Sequence, residues 1–188
     1  MATGTPYAQL VGPFTIYIAA YGATEPSVSS TPDTATWVEL GCTEGDQTIE
    51  NTGPITYFYD NCHQGPVKAV RPQEDLKIMF RLIDMTLENL GRLRQSVSAV
   101  TSSGTTKKLP NKNGFTLTEY ALLIKGAADS PYGNFPGQNF IPRGVFEGEG
   151  SRVRSKTARD AVDVVFVALE DDAQTAGDEL GWSSVQTS

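Results

Sequence analysis

Residues 74–100 read EDLKIMFRLIDMTLENLGRLRQSVSAV, and the hydrophobic period changes inside this stretch. In its first half Leu76, Ile78, Phe80 and Leu82 alternate with Lys77, Met79 and Arg81. That period of two is the mark of a strand with one face on a core. From Asp84 onward the spacing lengthens. Leu90, Leu93, Val97 and Val100 recur at steps of three and four, which is an apolar helical stripe. Asp84 or Thr86 can open the helix by accepting a backbone N–H bond. Arg92 and Gln95 fall on its opposite face, and Gly91 lies in its interior. The stripe reads as core rather than as a groove for a partner helix.

The other segments are strands and loops. In GPFTIYIAAYG (12–22) Phe14, Ile16 and Ile18 share one face, with Thr15, Tyr17 and Ala19 on the other. TWVELG (36–41) is a short strand with Trp37 as a core anchor. TGPITYFYDN (52–61) is an aromatic ribbon in which Tyr57 and Tyr59 alternate with Phe58. FTLTEYALLIKG (115–126) alternates at first and then becomes apolar throughout, so both its faces are covered. FIPRGVFEGEG (140–150) and DAVDVVFVALED (160–171) are two late strands. Residues 21–35, 101–114 and 128–139 are rich in turn formers and read as loops. The reading is a single domain over 1–172, mainly β with one flanking α-helix, as a β-sandwich or barrel. A long loop or hairpin is expected at about 42–74. Residues 173–188 are expected to be a C-terminal arm or tail, ordered where Trp182 docks.

Charge is distributed unevenly. The chain has 188 residues and a formal net charge of −7. Met1 to Val67 holds no Lys or Arg but seven acids: Glu25, Asp33, Glu39, Glu44, Asp46, Glu50 and Asp60. The remainder is balanced, so the first third carries the whole net charge. Such a field does not favour tight binding of nucleic acid. MATGTPYAQLVG has neither the basic start nor the apolar run of a secretory peptide. The apolar run VVFVAL is far shorter than the roughly 18 residues of a membrane span. Cys42 and Cys62 are too few for a disulfide scaffold and read as free thiols of a reducing compartment.

A search for catalytic chemistry finds little. The single histidine, His63, adjoins Cys62, but no CxxC or HxxxH spacing supplies further metal ligands, and His63 reads as a turn residue. No GxSxG elbow accompanies it. GEGSRV lacks the third glycine and the helix of a dinucleotide loop. Glu147 and Glu149 lie two apart on a strand, a spacing a glycosidase could use, but two solvated edge acids are the simpler reading. The basic run from Arg152 to Arg159 stands beside acids and reads as a surface salt-bridge cluster. No catalytic residue, metal or cofactor is assigned, and the chain is not read as an enzyme.

The order of these segments resembles a known family. A strand runs directly into a helix in DLKIMFRLIDMTLENLGRL. Late in the chain NFIPRGVFEGEG precedes AVDVVFVALEDD, with Phe166, Ala168, Leu169 and Asp171 near the family's closing pattern. The chain is similar here, over residues 10–172, to the tail tube (major tail) proteins of long-tailed bacteriophages with non-contractile tails. It departs from the pattern at Gly144, where the family's motif has a small Ala. The resemblance implies a sandwich-like barrel, six subunits per ring, and rings stacked around a lumen that carries DNA during ejection. It implies a virion tail protein assembled in the bacterial host cytoplasm. Its partners would be further copies, the tape measure, terminator and distal tail proteins, and transiently passing DNA, without membrane binding of its own. Loops and arms would link rings, with Thr48, Ile55, Tyr57, Phe58 and Tyr59 as inter-ring candidates. An anionic wall does not grip passing phosphate, and Glu39, Glu147, Glu149 and Asp163 are the lumen-facing candidates. Two alternatives stay open. One is another ring-forming tail protein such as a terminator. The other is a β-sandwich that binds carbohydrate through Tyr57, Tyr59 and Trp37.

Overall fold

The computed structural model describes residues 13–83, 86–95, 100–111, 116–126, 136–153 and 160–186, with the backbone alone for 148–153. Its centre is an eight-stranded sheet. Seven strands lie in hydrogen-bonded order: β2 (Val38–Glu39), β1 (Phe14–Ala20), β9 (Tyr120–Gly126), β10 (Gly137–Val153), β11 (Ala161–Ala168), β6 (Asp75–Leu82) and β3 (Thr48–Thr52). The eighth, β12 (Trp182–Val185), pairs with β10. Among the described residues two separate hairpins complete the β structure. They are β4 (Thr56–Phe58) with β5 (Lys68–Val70), and β7 (Thr101–Ser103) with β8 (Thr106–Lys108). The fold is mainly β with one helix, consistent with a β-sandwich.

The long strand β10 makes the sheet turn. Its first part pairs with β9 on one edge and with β12 on the other. From Gly144 onward the edge that held β12 is taken by β11. The register with β9 shifts between Ile141 and Gly144, and such irregularities let one strand turn a corner between two layers. Ile16 and Ile18 of β1 consequently share one buried cluster with Ile78 and Phe80 of β6, although three strands separate β1 from β6 in the sheet. A flat sheet could not bring them together. At the corner Gly144 admits no side chain, because a Cβ would lie 2.4 Å from Phe166 Cε1 and 2.6 Å from the Val167 carbonyl oxygen.

The pattern read over 74–83 is present as expected, with Ile78, Phe80 and Leu82 buried and Arg81 exposed. The helix α1 (Leu87–Leu93) is shorter than its apolar stripe suggests. Thr86 caps it, its Oγ1 accepting from Asn89 N at 3.1 Å. It ends because Arg94 leaves helical geometry and Gln95 takes a positive φ of 57°. Leu90 and Leu93 are buried, and Leu93 joins the main core. Val100 lies beyond the helix; Asp84 and Val97 lie outside the described residues.

Three further expectations change. The strand expected from Phe115 begins at Tyr120, and Leu117 is exposed. The loop 101–114 contains the hairpin β7–β8, which turns at Gly104 with φ 57°. Within 42–74, residues 48–52 are not loop: they form β3 at the edge of the main sheet, while β4–β5 is the expected hairpin. The C-terminal segment, expected as an arm or tail ordered where Trp182 docks, does dock there: Trp182 packs on Phe140 with 4.8 Å between centroids, and β12 goes further and pairs with β10. That docking seals a second small core of Ala19, Trp37, Ala121, Leu123 and Phe140 on the outer side of β1 and β9. Both faces of β9 are thereby covered, as its apolar run implies.

Candidate assembly surfaces

The β4–β5 hairpin leaves the body with its side chains uncovered. Thr56 pairs with Val70, Tyr57 with Ala69 and Phe58 with Lys68. Ile55, Tyr57, Phe58, Tyr59, Val67 and Val70 are all exposed, Tyr59 by 68%. An isolated two-stranded ribbon is marginal in water, so its shape is fixed at the ends. At the base, Gly53 lies so close to the returning chain that a Cβ would meet the Gln73 carbonyl oxygen at 2.2 Å. At the tip, Asp60 Oδ1 accepts from Cys62 N at 3.0 Å and His63 N at 2.9 Å, and lies 2.8 Å from His63 Nδ1. The His63 contact is the main cause holding the Asp60 carboxyl below its ordinary value. His63 is thus a turn residue. Cys62 beside it is an exposed free thiol, as is Cys42.

The second surface is the outer face of β10, β11, β6 and β3. Core residues point to one side of these strands, so Lys77, Met79 and Arg81 point to the other. Register then places Asp163 opposite Arg81, Val165 opposite Met79, and both Val167 and Glu50 opposite Lys77. Glu147 reaches Lys77 Nζ at 3.0 Å, which raises the lysine pKa. Arg81 Nε lies 3.7 Å from Glu44 and 3.8 Å from Asp163. Among the described side chains five acids (Glu44, Glu50, Asp75, Glu147, Asp163) thus stand against two bases (Lys77, Arg81), so this part of the face is negative. All these pairs are well exposed, and exposed pairs contribute little stability.

The candidate residues therefore divide. Glu147 and Asp163 share this face. Glu39 pairs with Tyr17 on β2, at the far end of the sheet. The backbone of Glu149 pairs with Val164, and its side chain lies outside the described residues. Of the basic run, the Arg152 backbone lies on β10; residues 154–159 lie outside the described residues. Thr48 belongs to β3, whereas Ile55, Tyr57, Phe58 and Tyr59 lie together on or beside the hairpin. Trp37 is buried in the second core, so it cannot join Tyr57 and Tyr59 in a carbohydrate platform. Glu44 and Glu50 went unassigned because their place depends on strand pairing. Their position in the base-free first third was the available signal.

Two polar clusters tie the C-terminal segment and the turn after β1 to the body. Glu25 accepts from Gln138 Nε2 at 2.6 Å, Trp182 Nε1 at 2.9 Å and Ser184 Oγ at 3.1 Å. Arg143 binds Glu119 through two nitrogens at 2.8 and 2.9 Å, and its guanidinium lies 5.4 Å from the Tyr21 ring centroid. Beside it the buried Asp171 accepts from the Tyr21 hydroxyl and from Gln174 Nε2, each at 2.8 Å. The Gln174 contact, followed by Tyr21, holds the Asp171 carboxyl below its ordinary value. Arg143 does the same for Glu119. Neither protein-family models nor curated proteins give a match to this chain.

Proposed function

We propose that the chain is a structural virion protein, a subunit of the tail tube of a long-tailed bacteriophage with a non-contractile tail. The observation that carries the reading is the β4–β5 hairpin. It projects six exposed apolar or aromatic side chains on a ribbon that its own subunit does not cover. Exposed apolar groups in one patch mark an interaction site, and an assembling subunit has a second copy to cover them. The mainly β fold with one helix and the sequence resemblance support the same reading. Copies would form hexameric rings, and the hairpin would reach the neighbouring ring. The negative outer face of β10, β11, β6 and β3 would line the lumen and let DNA pass. The tape measure, terminator and distal tail proteins would be the other partners, in the virion tail. No helix among the described residues is long and apolar enough to cross a membrane.

Negative-stain electron microscopy of the purified chain tests the proposal. Tubes of stacked rings are the expected result. Single rings that never stack would favour a terminator-like role. Monomers at every concentration and salt would overturn the reading.

A further inference from the structure

Two stretches of the chain hold no Lys or Arg, residues 1–67 and 160–188. They meet at an open cavity of about 450 Å3, within the range of about 300–1,000 Å3 of small-molecule sites. Residues 22–25, in the turn after β1, line it from the first stretch. Asp171, Gln174 and Trp182 line it from the last, and Phe140 and Pro142 of β10 complete the wall. Phe140 and Trp182 pack with 4.8 Å between ring centroids, so part of that wall is aromatic. Among the described residues no basic side chain lines the cavity.

Its two carboxylates, Glu25 and Asp171, are held by neutral donors. Glu25 Oε1 accepts from Gln138 Nε2 at 2.6 Å and Ser184 Oγ at 3.1 Å, and Oε2 from Trp182 Nε1 at 2.9 Å. Asp171 Oδ1 accepts from the Tyr21 hydroxyl at 2.8 Å and Ala173 N at 3.3 Å, and Oδ2 from Gln174 Nε2 at 2.8 Å. Arg143, the base that acts on Asp171 from nearby, is matched by Glu119, which it binds through two nitrogens. Asp171 thus carries its charge without a salt bridge although it is only 2% exposed, whereas buried charges are ordinarily paired. Glu25 Oε2 and Asp171 Oδ2 each accept one of these bonds, and a carboxylate oxygen can accept two.

We infer that this cavity binds a small organic cation, an alkyl diammonium. Two ammonium groups match the two carboxylates. The methylene chain between them would lie on Phe140, Pro142 and Trp182, and an ammonium near an aromatic face gains further attraction. A bare metal ion would leave the apolar wall unused, and among the described residues no three His, Cys, Asp or Glu side chains gather to ligate one. The bound cation would tie the C-terminal segment to the turn after β1 within one subunit. The inference does not use the tail tube reading and stands or falls apart from it.

Isothermal titration calorimetry with butane-1,4-diamine tests the site on the full chain. Saturable binding of one diamine per chain is expected, and butane-1,4-diol, of the same length but uncharged, should give none. Thr24 lines the cavity and is exposed, so Thr24→Lys should fold and place a tethered ammonium there, abolishing binding. Asp171→Asn should weaken it at least tenfold. Glu147→Lys with Asp163→Lys changes the acidic face elsewhere and should leave it unchanged. No saturable heat from the diamine would overturn the site, as would equal binding of the diol. Binding that survives Thr24→Lys, or that disappears in the Glu147→Lys, Asp163→Lys variant, would also overturn it, because the diamine would then be a counterion of the acidic surface.

Discussion

Gly144 sits where β10 turns its corner, and its surroundings leave no room for a side chain. A Cβ there would enter the space of the Phe166 ring and the Val167 carbonyl. Phe166 is itself fixed edge-on against Phe146, with centroids 5.1 Å apart. Gly144→Ala should therefore destabilise the fold by about 1–3 kcal/mol, the usual cost of overpacking, read as a lower urea midpoint at unchanged slope. Asp171 gives a pH prediction. Its carboxyl is held below its ordinary value, so the fold gains stability from it above about pH 4, the unfolded value. That gain is lost as pH falls through the lower folded value. Acid should therefore loosen the segment 171–186 early, seen as a change in Trp182 fluorescence that a Trp182→Phe control lacks. Asp171→Asn should remove this acid step; a titration identical to wild type would show that Asp171 does not control it. Neither role was legible in the sequence, because both depend on contacts between residues far apart in the chain.

Elements with a complete alternation were legible, and short or polar ones were not. β6 and β11 carry their burial pattern in plain sequence. β3 reads TIENT and is exposed along its whole length, so no apolar period marks it. It is a strand because β6 offers it a hydrogen-bonding edge. The β7–β8 hairpin left one trace, a Gly flanked by Ser and Thr, which is turn chemistry between β-branched residues. β12 is short, and Trp182 was its only signal. The helix was legible in its start and stripe, while its end was hidden because Gln95 adopts a conformation that Gly usually supplies. Leu93→Ala should cost about 2–5 kcal/mol, as expected for a fully buried leucine. An unchanged melting curve would contradict its place in the core. For the hairpin, the useful cut follows the observed boundaries. Replacing residues 54–72 by a short Gly-Ser turn removes β4–β5 and spares β3. The variant should keep the circular dichroism and melting behaviour of a folded subunit and lose tube formation. Normal tubes from it would end the inter-ring role of the hairpin.

At the scale of the whole molecule the uneven charge of the chain acquires a location. Glu44 and Glu50 come from the base-free first third, and Glu147 and Asp163 from near the end. The antiparallel pairing with β6 brings all four onto one face. Lys77 and Arg81 lie among them, each beside acids, so neither stands alone for a passing phosphate to take up. Duplex DNA presents about one charge per 1.7 Å of its axis. A tube wall that offered cations at that density would hold DNA through many weak contacts and slow its exit. Changing Glu147 and Asp163 together to Lys reverses the balance of the face, leaving three acids against four bases among the described side chains. Both positions are exposed, so the subunit should fold and assemble as before. Tubes of the variant should retain duplex DNA in co-sedimentation at low salt and release it as salt rises, whereas wild-type tubes should not retain it under either condition. Equal retention by both would place this face away from the DNA path.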